Sequence, residues 1–147
     1  MRMPIEGEYE PSPWEFVAQQ VEQYESTGGR EGGVLEGVPC IVLWTKGRKS
    51  GTVRKSPLMR VEHDGRYAVV ASMGGAPKHP VWYLNMREDP RVSLQDGPDL
   101  RDYIAHEATG DEKAEWWRRA TVIWPSYDEY QTKTDRQIPL LILEPAT

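Results

Sequence analysis

The run of apolar and polar positions divides this chain into helices and strands. Trp14, Val17, Val21 and Tyr24 recur at helical spacing, with Gln19, Gln20, Glu22 and Gln23 mainly on the other side. That stripe predicts an amphipathic helix. Ser12-Pro13-Trp14-Glu15 offers an N-cap, a first helical residue and a capping-box acid, and Gly28-Gly29 offers the stop. The Gly-rich residues 30–39 read as a linker. Residues 40–45 then form a mostly apolar run suited to a buried strand, ended by Gly47-Arg48-Lys49-Ser50-Gly51. A second strand over residues 53–62 turns at His63-Asp64-Gly65 into a third over 67–72, because Asp-Gly between extended runs marks a hairpin. Pro57 cannot donate to a ladder, which places its strand at an edge or a bulge.

Pro80 opens a short helix over 81–87 that must end before Pro90, and strands follow at 91–95 and 101–108 around the turn Asp96-Gly97-Pro98-Asp99. A third helix starts at Asp111. Ala114, Trp117, Thr121 and Trp124 fall on one side of it, with Trp116, Ala120 and Ile123 adjacent, and Pro125 ends it. The polar stretch beyond, holding Tyr127 and Tyr130, reads as a mobile lid. A last strand covers 137–143. About six mainly antiparallel strands with three helices predict an α+β barrel or sandwich. Residues 1–34 form an N-terminal segment carrying the amphipathic helix, and residues 35–147 form the main domain.

Composition and charge narrow the function. The longest apolar runs, Ala68-Val69-Val70-Ala71 and Leu140-Leu141-Ile142-Leu143, are far below the roughly 20 residues of a membrane span. The opening residues Met1-Arg2-Met3-Pro4-Ile5-Glu6 lack an apolar leader, so a cytoplasmic location is expected. The first helix packs on the domain or, alternatively, touches the inner face of a membrane from the side. Cys40 is the single cysteine, which excludes an internal disulfide and a cysteine zinc site, and it reads as a small packing residue. His63, His79 and His106 have no metal-ligand spacing, so no metal is expected. The chain has 18 basic and 23 acidic residues, a net charge of −5. No acid lies between Glu36 and Glu62, where Lys46, Arg48, Lys49, Arg54, Lys55 and Arg60 cluster. An acidic chain with one basic patch argues against nucleic acid and for a compact anionic ligand.

Candidate chemistry gathers at two places. Gly47-Arg48-Lys49-Ser50-Gly51 puts two cations and a hydroxyl between glycines, with Arg54, Lys55 and Ser56 close behind, a set suited to phosphate or carboxylate. Lys78 and the start of the Pro80 helix attract anions as well. Trp82, Tyr83, Trp116, Trp117, Trp124, Tyr127 and Tyr130 can form flat walls with polar tips. Of these, Trp116 and Trp117 suit the core, while Tyr127 and Tyr130 suit a pocket. Dinucleotide, P-loop and nucleophile-elbow motifs are missing from the sequence. Near-edge strands permit a homodimer.

Four stretches, Thr45–Gly51, Arg54–Val61, Gly74–Tyr83 and Tyr130–Pro139, together resemble the deazaflavin-dependent nitroreductase family over residues 35–145. The resemblance implies a split β-barrel that binds coenzyme F420, a 5-deazaflavin with a phosphate and an oligoglutamate tail. It implies hydride transfer from the reduced cofactor to quinones, enones or nitroimidazole-type acceptors, which are small, planar and electron-poor. Carried over by similarity, Arg48, Lys49, Ser50, Arg54 and Lys55 hold the phosphate and tail. Ser56, Pro57, Leu58 and Met59 line the approach, and Val70, Ala71, Ser72 and Met73 run beside the ring. Pro80, Val81, Trp82 and Asn85 form the cofactor-side helix. Ser72, Tyr127 and Tyr130 stand where charge develops or a proton moves. A non-catalytic module binding a flavin, deazaflavin or haem-like ligand is the alternative, and an FMN enzyme of the same barrel class is a third reading.

Overall fold

Alternation in the strands explains how one sheet packs on both faces, around the barrel interior and under α1 and α3 outside. The computed structural model describes residues 5–146. Among them the order is α1 (Glu15–Thr27), β1 (Val34–Leu35), β2 (Val38–Lys46), β3 (Val53–Met59), β4 (Glu62–His63), β5 (Arg66–Val70), α2 (Val81–Glu88), β6 (Arg91–Asp96), β7 (Asp99–Glu107), α3 (Gly110–Ile123), α4 (Ser126–Thr132) and β8 (Leu140–Pro145). All strand pairings are antiparallel, and neighbours run β3-β2-β6-β7-β8-β5-β4, with β1 also on β2. The sheet curls back on itself after Met59. The Arg60 amide still bonds to the Pro39 carbonyl of β2, and the next carbonyl, Val61, already accepts from Ala68 of β5. One stretch of chain thus links the two ends of the sheet, giving a split β-barrel.

Ile41 and Leu43 of β2 point into the barrel with Leu94, Leu141, Leu143 and Trp82. Cys40 and Val42, one step out of phase, lie under Val21 and Tyr24 of α1. On β8, Leu140 and Ile142 face away from the barrel interior and pack with Trp116 and Ala120 of α3. Covering both faces accounts for the unbroken apolar run at 140–143. Each such side chain contributes about 1.5–3 kcal/mol on burial.

The observed elements depart from the sequence expectation in specific ways. Pro57 pairs with Val42 in an uninterrupted register, and the far side of β3 is bridged at its start, where Val53 meets Tyr9, so the proline marks an edge and not a bulge. The expected linker at 30–39 holds β1, because Glu36 (φ 50°) and Gly37 (φ 80°) make a tight turn that a Glu-Gly pair barely signals. Ser12 does not cap α1. Its Oγ accepts the Trp14 N–H at 3.1 Å and the helix begins at Glu15. Only the later half of the expected stripe is buried, with Trp14 62% and Phe16 68% exposed and stacked at 6.0 Å. On α3 the buried stripe is Trp116 and Ala120, while Ala114 and Ile123 are exposed. Two short strands and a fourth helix raise the count over the expected six and three; that helix, α4, replaces the expected lid.

Tyr24 ties α1 to the sheet. Its phenol oxygen accepts the Gly97 N–H at 2.7 Å and lies within hydrogen-bond reach of the Cys40 and Gln95 carbonyls. No helix of the described residues is long and apolar enough to cross a membrane, and no group of three metal-type ligands occurs among them.

Candidate functional site

A cleft of about 290 Å³ opens where four segments converge. Leu35 and the end of β3 (Pro57, Leu58, Met59) form one side; Val70, Ser72, Met73 and Gly74 form the next. Pro80 and Trp82 come from the start of α2, and Trp124, Tyr127 and Tyr130 from the α3–α4 corner. Two larger concavities of about 530 Å³ lie on the outside of α1 and between α3 and α4. The smaller one is the candidate, because it alone collects hydroxyls, aromatic walls and an edge strand from distant parts of the chain.

The segment after β5 leaves the sheet through an unusual turn. Met73 (φ 47°), Gly74 (φ 65°) and Gly75 (φ 84°) are all left-handed. This conformation costs a non-glycine residue such as Met73 of order 1 kcal/mol and persists where surrounding contacts fix it. Those contacts come from α4 and from Arg136. A Cβ on Gly75 would stand 2.8 Å from the Tyr130 carbonyl, so only glycine lets the turn lie this close to α4. The Arg136 guanidinium donates to the carbonyls of Ala76 (2.9 Å), Ala71 (3.1 Å) and Ser72 (2.8 Å). It also donates to His79 Nδ1 at 3.1 Å. One side chain therefore fixes the whole 71–79 segment. Burial lowers the Arg136 pKa, yet a guanidinium keeps its proton.

The bond to His79 sets a pH dependence. Arg136 can only donate, so Nδ1 must be bare and the ring neutral. Burial, then the nearby charges of Arg136 and Arg87, hold the His79 pKa below the ordinary 6.5. Around and below that value the unfolded chain binds more protons than the folded one, so stability rises with pH across the window and is lost as pH falls. The melting temperature should drop on acidification below about pH 6.5. His79→Gln, which still accepts a bond but does not titrate, should flatten that part of the profile; an unchanged thermal-shift profile would dismiss the histidine as its source.

On the other wall, α3 grips α4 through two indoles. Trp117 Nε1 donates to Asp128 Oδ1 at 2.7 Å, and Trp124 Nε1 donates to the Tyr130 phenol oxygen at 3.1 Å. Tyr127 is buried, and burial followed by the neighbouring Tyr130 pushes its pKa up to about 12. It remains a protonated hydrogen-bond donor throughout the physiological range.

The basic loop is braced from α2. Asn85, 1% exposed, accepts the Arg48 N–H at 3.1 Å and donates to Thr45 Oγ1 at 3.2 Å. Asn85 lies about 7 Å along the helix from Pro80, so the tip is anchored near the cleft end. The residues at the tip, Arg48, Lys49 and Ser50, are exposed. Arg54 pairs with Glu10 at 3.0 Å. Lys55 is turned the other way: it pairs with Glu25 of α1 at 2.7 Å and lies over the rings of Trp44 (4.1 Å) and Tyr9 (4.4 Å).

The structure thus brings Pro57, Leu58, Met59, Val70, Ser72, Met73, Pro80, Trp82, Tyr127 and Tyr130 together around one cleft. Ser56 sits further along β3 opposite Leu43, Ala71 is enclosed in the core, and Lys78 and Val81 are exposed outside the lining. Leu35, Gly74 and Arg136 were not singled out from sequence. For Arg136 there is no local signal, since it sits in a polar stretch that also holds Lys133 and Asp135.

The family model described as F420H(2)-dependent quinone reductase matches residues 16–145. A Mycobacterium tuberculosis protein provisionally named an F420H(2)-dependent quinone reductase is 35% identical over 113 residues, 77% of this chain and 95% of its own. A solved structure titled as an F420-H2 dependent reductase is 52% identical with a TM-score of 0.69, covering 72% of this chain and 94% of that one. Another, titled as a domain-swapped dimer, is 47% identical with a TM-score of 0.72 over 90% of this chain and all of that one. The chain belongs to the F420H(2)-dependent quinone reductase family, and it is an oxidoreductase whose cofactor is coenzyme F420.

Proposed function

We propose that the cleft is the reaction site, where a planar quinone is reduced, with enones and nitroaromatics as further acceptors. The observation that carries this reading is the meeting of Ser72, Tyr127 and Tyr130 over an apolar floor of Pro57, Leu58, Met59 and Trp82. The residues fit the cofactor by their chemistry. Flat apolar walls suit a tricyclic ring, and exposed cations at a braced hairpin tip suit a phosphate and glutamates. When bound in reduced form, F420 supplies the hydride. The chain's own residues do the rest. Arg48, Lys49, Ser50 and Arg54 bind the anionic part, Asn85 holds the tip in place, and Lys55 props α1 against β3. Trp82 and the end of β3 keep water from the ring, and the three hydroxyl side chains stabilise negative charge on the acceptor.

Titration of F420 fluorescence, followed by rates with reduced F420 and a panel of menadione, cyclohexenone and a nitroimidazole, tests the proposal. Binding with menadione turnover is expected. Binding without turnover would leave a non-catalytic module, and copurified FMN would favour the flavin reading. Replacing Arg48 and Lys49 together by alanine should weaken F420 affinity about fivefold at low salt, with the deficit shrinking as salt screens the charges. Equal affinities in the two proteins would remove the tip from the site. The dimeric relative supports a homodimer, checked by light scattering. The exposed Trp14–Phe16 pair supports peripheral contact of α1 with the inner face of a membrane, checked by vesicle flotation.

A further inference from the structure

Tyr130 lines the cleft, and the geometry around it fixes which way its hydroxyl can act. The Trp124 indole Nε1 lies 3.1 Å from the phenol oxygen. An indole N–H only donates, so the phenol oxygen is the acceptor and its own proton must point elsewhere. Among the described residues nothing accepts that proton. Both partners are held. Trp124 ends α3, its backbone N–H bonded to Ala120 at 2.8 Å, and Pro125 leads directly into α4. The rotation of α4 is fixed by the second indole, Trp117, on Asp128. The Tyr127 ring stands edge-on to Tyr130 at 6.2 Å and closes one flank.

We infer that Trp124 is a positioning residue that sets Tyr130 as a hydrogen-bond donor into the cleft, aimed at the oxygen of a carbonyl-type acceptor. The inference rests on the proposed reading of the cleft as the quinone site. A quinone that gains a hydride carries its new negative charge on oxygen until water supplies the last proton. A donor already oriented towards that oxygen lowers the barrier, whereas a hydroxyl free to rotate divides its time between directions. Without the indole, the phenol proton can turn towards other acceptors and the preorganisation is lost.

Trp124→Phe keeps an aromatic ring and deletes the N–H, and Trp124→Met is a second N–H-free variant should the phenyl ring seat badly. In ligand-free protein carrying 13Cζ-labelled tyrosine, with Tyr130→Phe to assign the signal, both variants should move the Tyr130 13Cζ resonance, which senses the hydrogen bond that its oxygen accepts. With reduced F420 and menadione, kcat should fall roughly three- to tenfold with KM nearly constant. In a Tyr130→Phe background, itself about a hundredfold slower, removing the indole should change kcat by less than about twofold. An unmoved Tyr130 resonance with unchanged kcat, or a Trp124 effect that multiplies in full with that of Tyr130→Phe, overturns the inference. Should Tyr130→Phe cost rate while Trp124→Phe does not, the role of Trp124 falls and the quinone site stands. Should Tyr130→Phe cost nothing, both fall.

Discussion

Replacing Arg136 with methionine should destabilise the protein by about 3–5 kcal/mol, the largest effect expected of any single change around the cleft. Methionine matches the stem in length and leaves the carbonyls of Ala71, Ser72 and Ala76, and His79 Nδ1, without their donor. Bonds from a charged donor are each worth about 1.5–3 kcal/mol, and four of them sharing one group are not additive, so the total stays below their sum. For a domain of this size the melting temperature should drop by about 10–15 °C. F420 affinity should fall with it, because Ser72 and Met73 are set by the same anchor. Arg136→Lys should recover only part of the loss, since one ammonium cannot span acceptors arranged around a planar fork. A melting temperature within about 2 °C of the parent protein would show that the segment is held by other contacts.

Gly75→Ala is the second large effect, and it tests the close approach of the turn to α4. The residue is left-handed at φ 84°, and the added Cβ would lie 2.8 Å from the Tyr130 carbonyl and 3.2 Å from its Cα, both backbone atoms that cannot swing aside. A cost of about 2–4 kcal/mol is expected, with a loss of kcat/KM as Tyr130 shifts relative to Ser72. Gly74→Ala is the control. It is also left-handed, at φ 65°, but its Cβ would meet nothing within 4 Å, so only the backbone cost of about 1–2 kcal/mol applies. If the two alanines prove equally costly, the contact with α4 contributes nothing, and the left-handed backbone alone explains both.

The two predictions share a physical basis. The 71–79 segment and α4 form adjoining walls of the cleft: Arg136, just past α4, holds the segment, and the absent side chain of Gly75 lets it lie against the helix. In sequence, Gly75 and Arg136 look like an ordinary turn glycine and an ordinary surface cation. Their partners lie 55 or more residues away, and no local periodicity carries that information. Lys55 shows the same limit from the other direction. Its place in the acid-free interval suggested an anion clamp, but alternation along β3 and the paired Trp44 turn it towards Glu25 and α1. Counting charges along the chain cannot tell which face of a strand a cation takes when a proline makes the phase uncertain.

The helix α4 was hidden for a related reason. Ser126–Thr132 is polar, short and follows a proline, with little apolar stripe of its own. It forms because two indoles of α3 and the turn at Gly75 hold it, and not because of intrinsic propensity. The misplaced stripe on α3 arises from the reverse condition: Trp116, Trp117, Val122 and Ile123 put apolar groups around much of the helix, so periodicity alone could not choose the inward side.

By itself the sequence determined the order of the main strands, the hairpins at Asp64-Gly65 and Gly97-Pro98, the helix after Pro80, and the basic loop at Gly47–Gly51. Each of these depends on neighbours within a few residues, where backbone stereochemistry and side-chain period act directly. Only the tertiary structure decided which cations stay available and how the cleft walls are spaced. Those properties depend on hydrogen bonds between groups that come within 3 Å only after the sheet has curled.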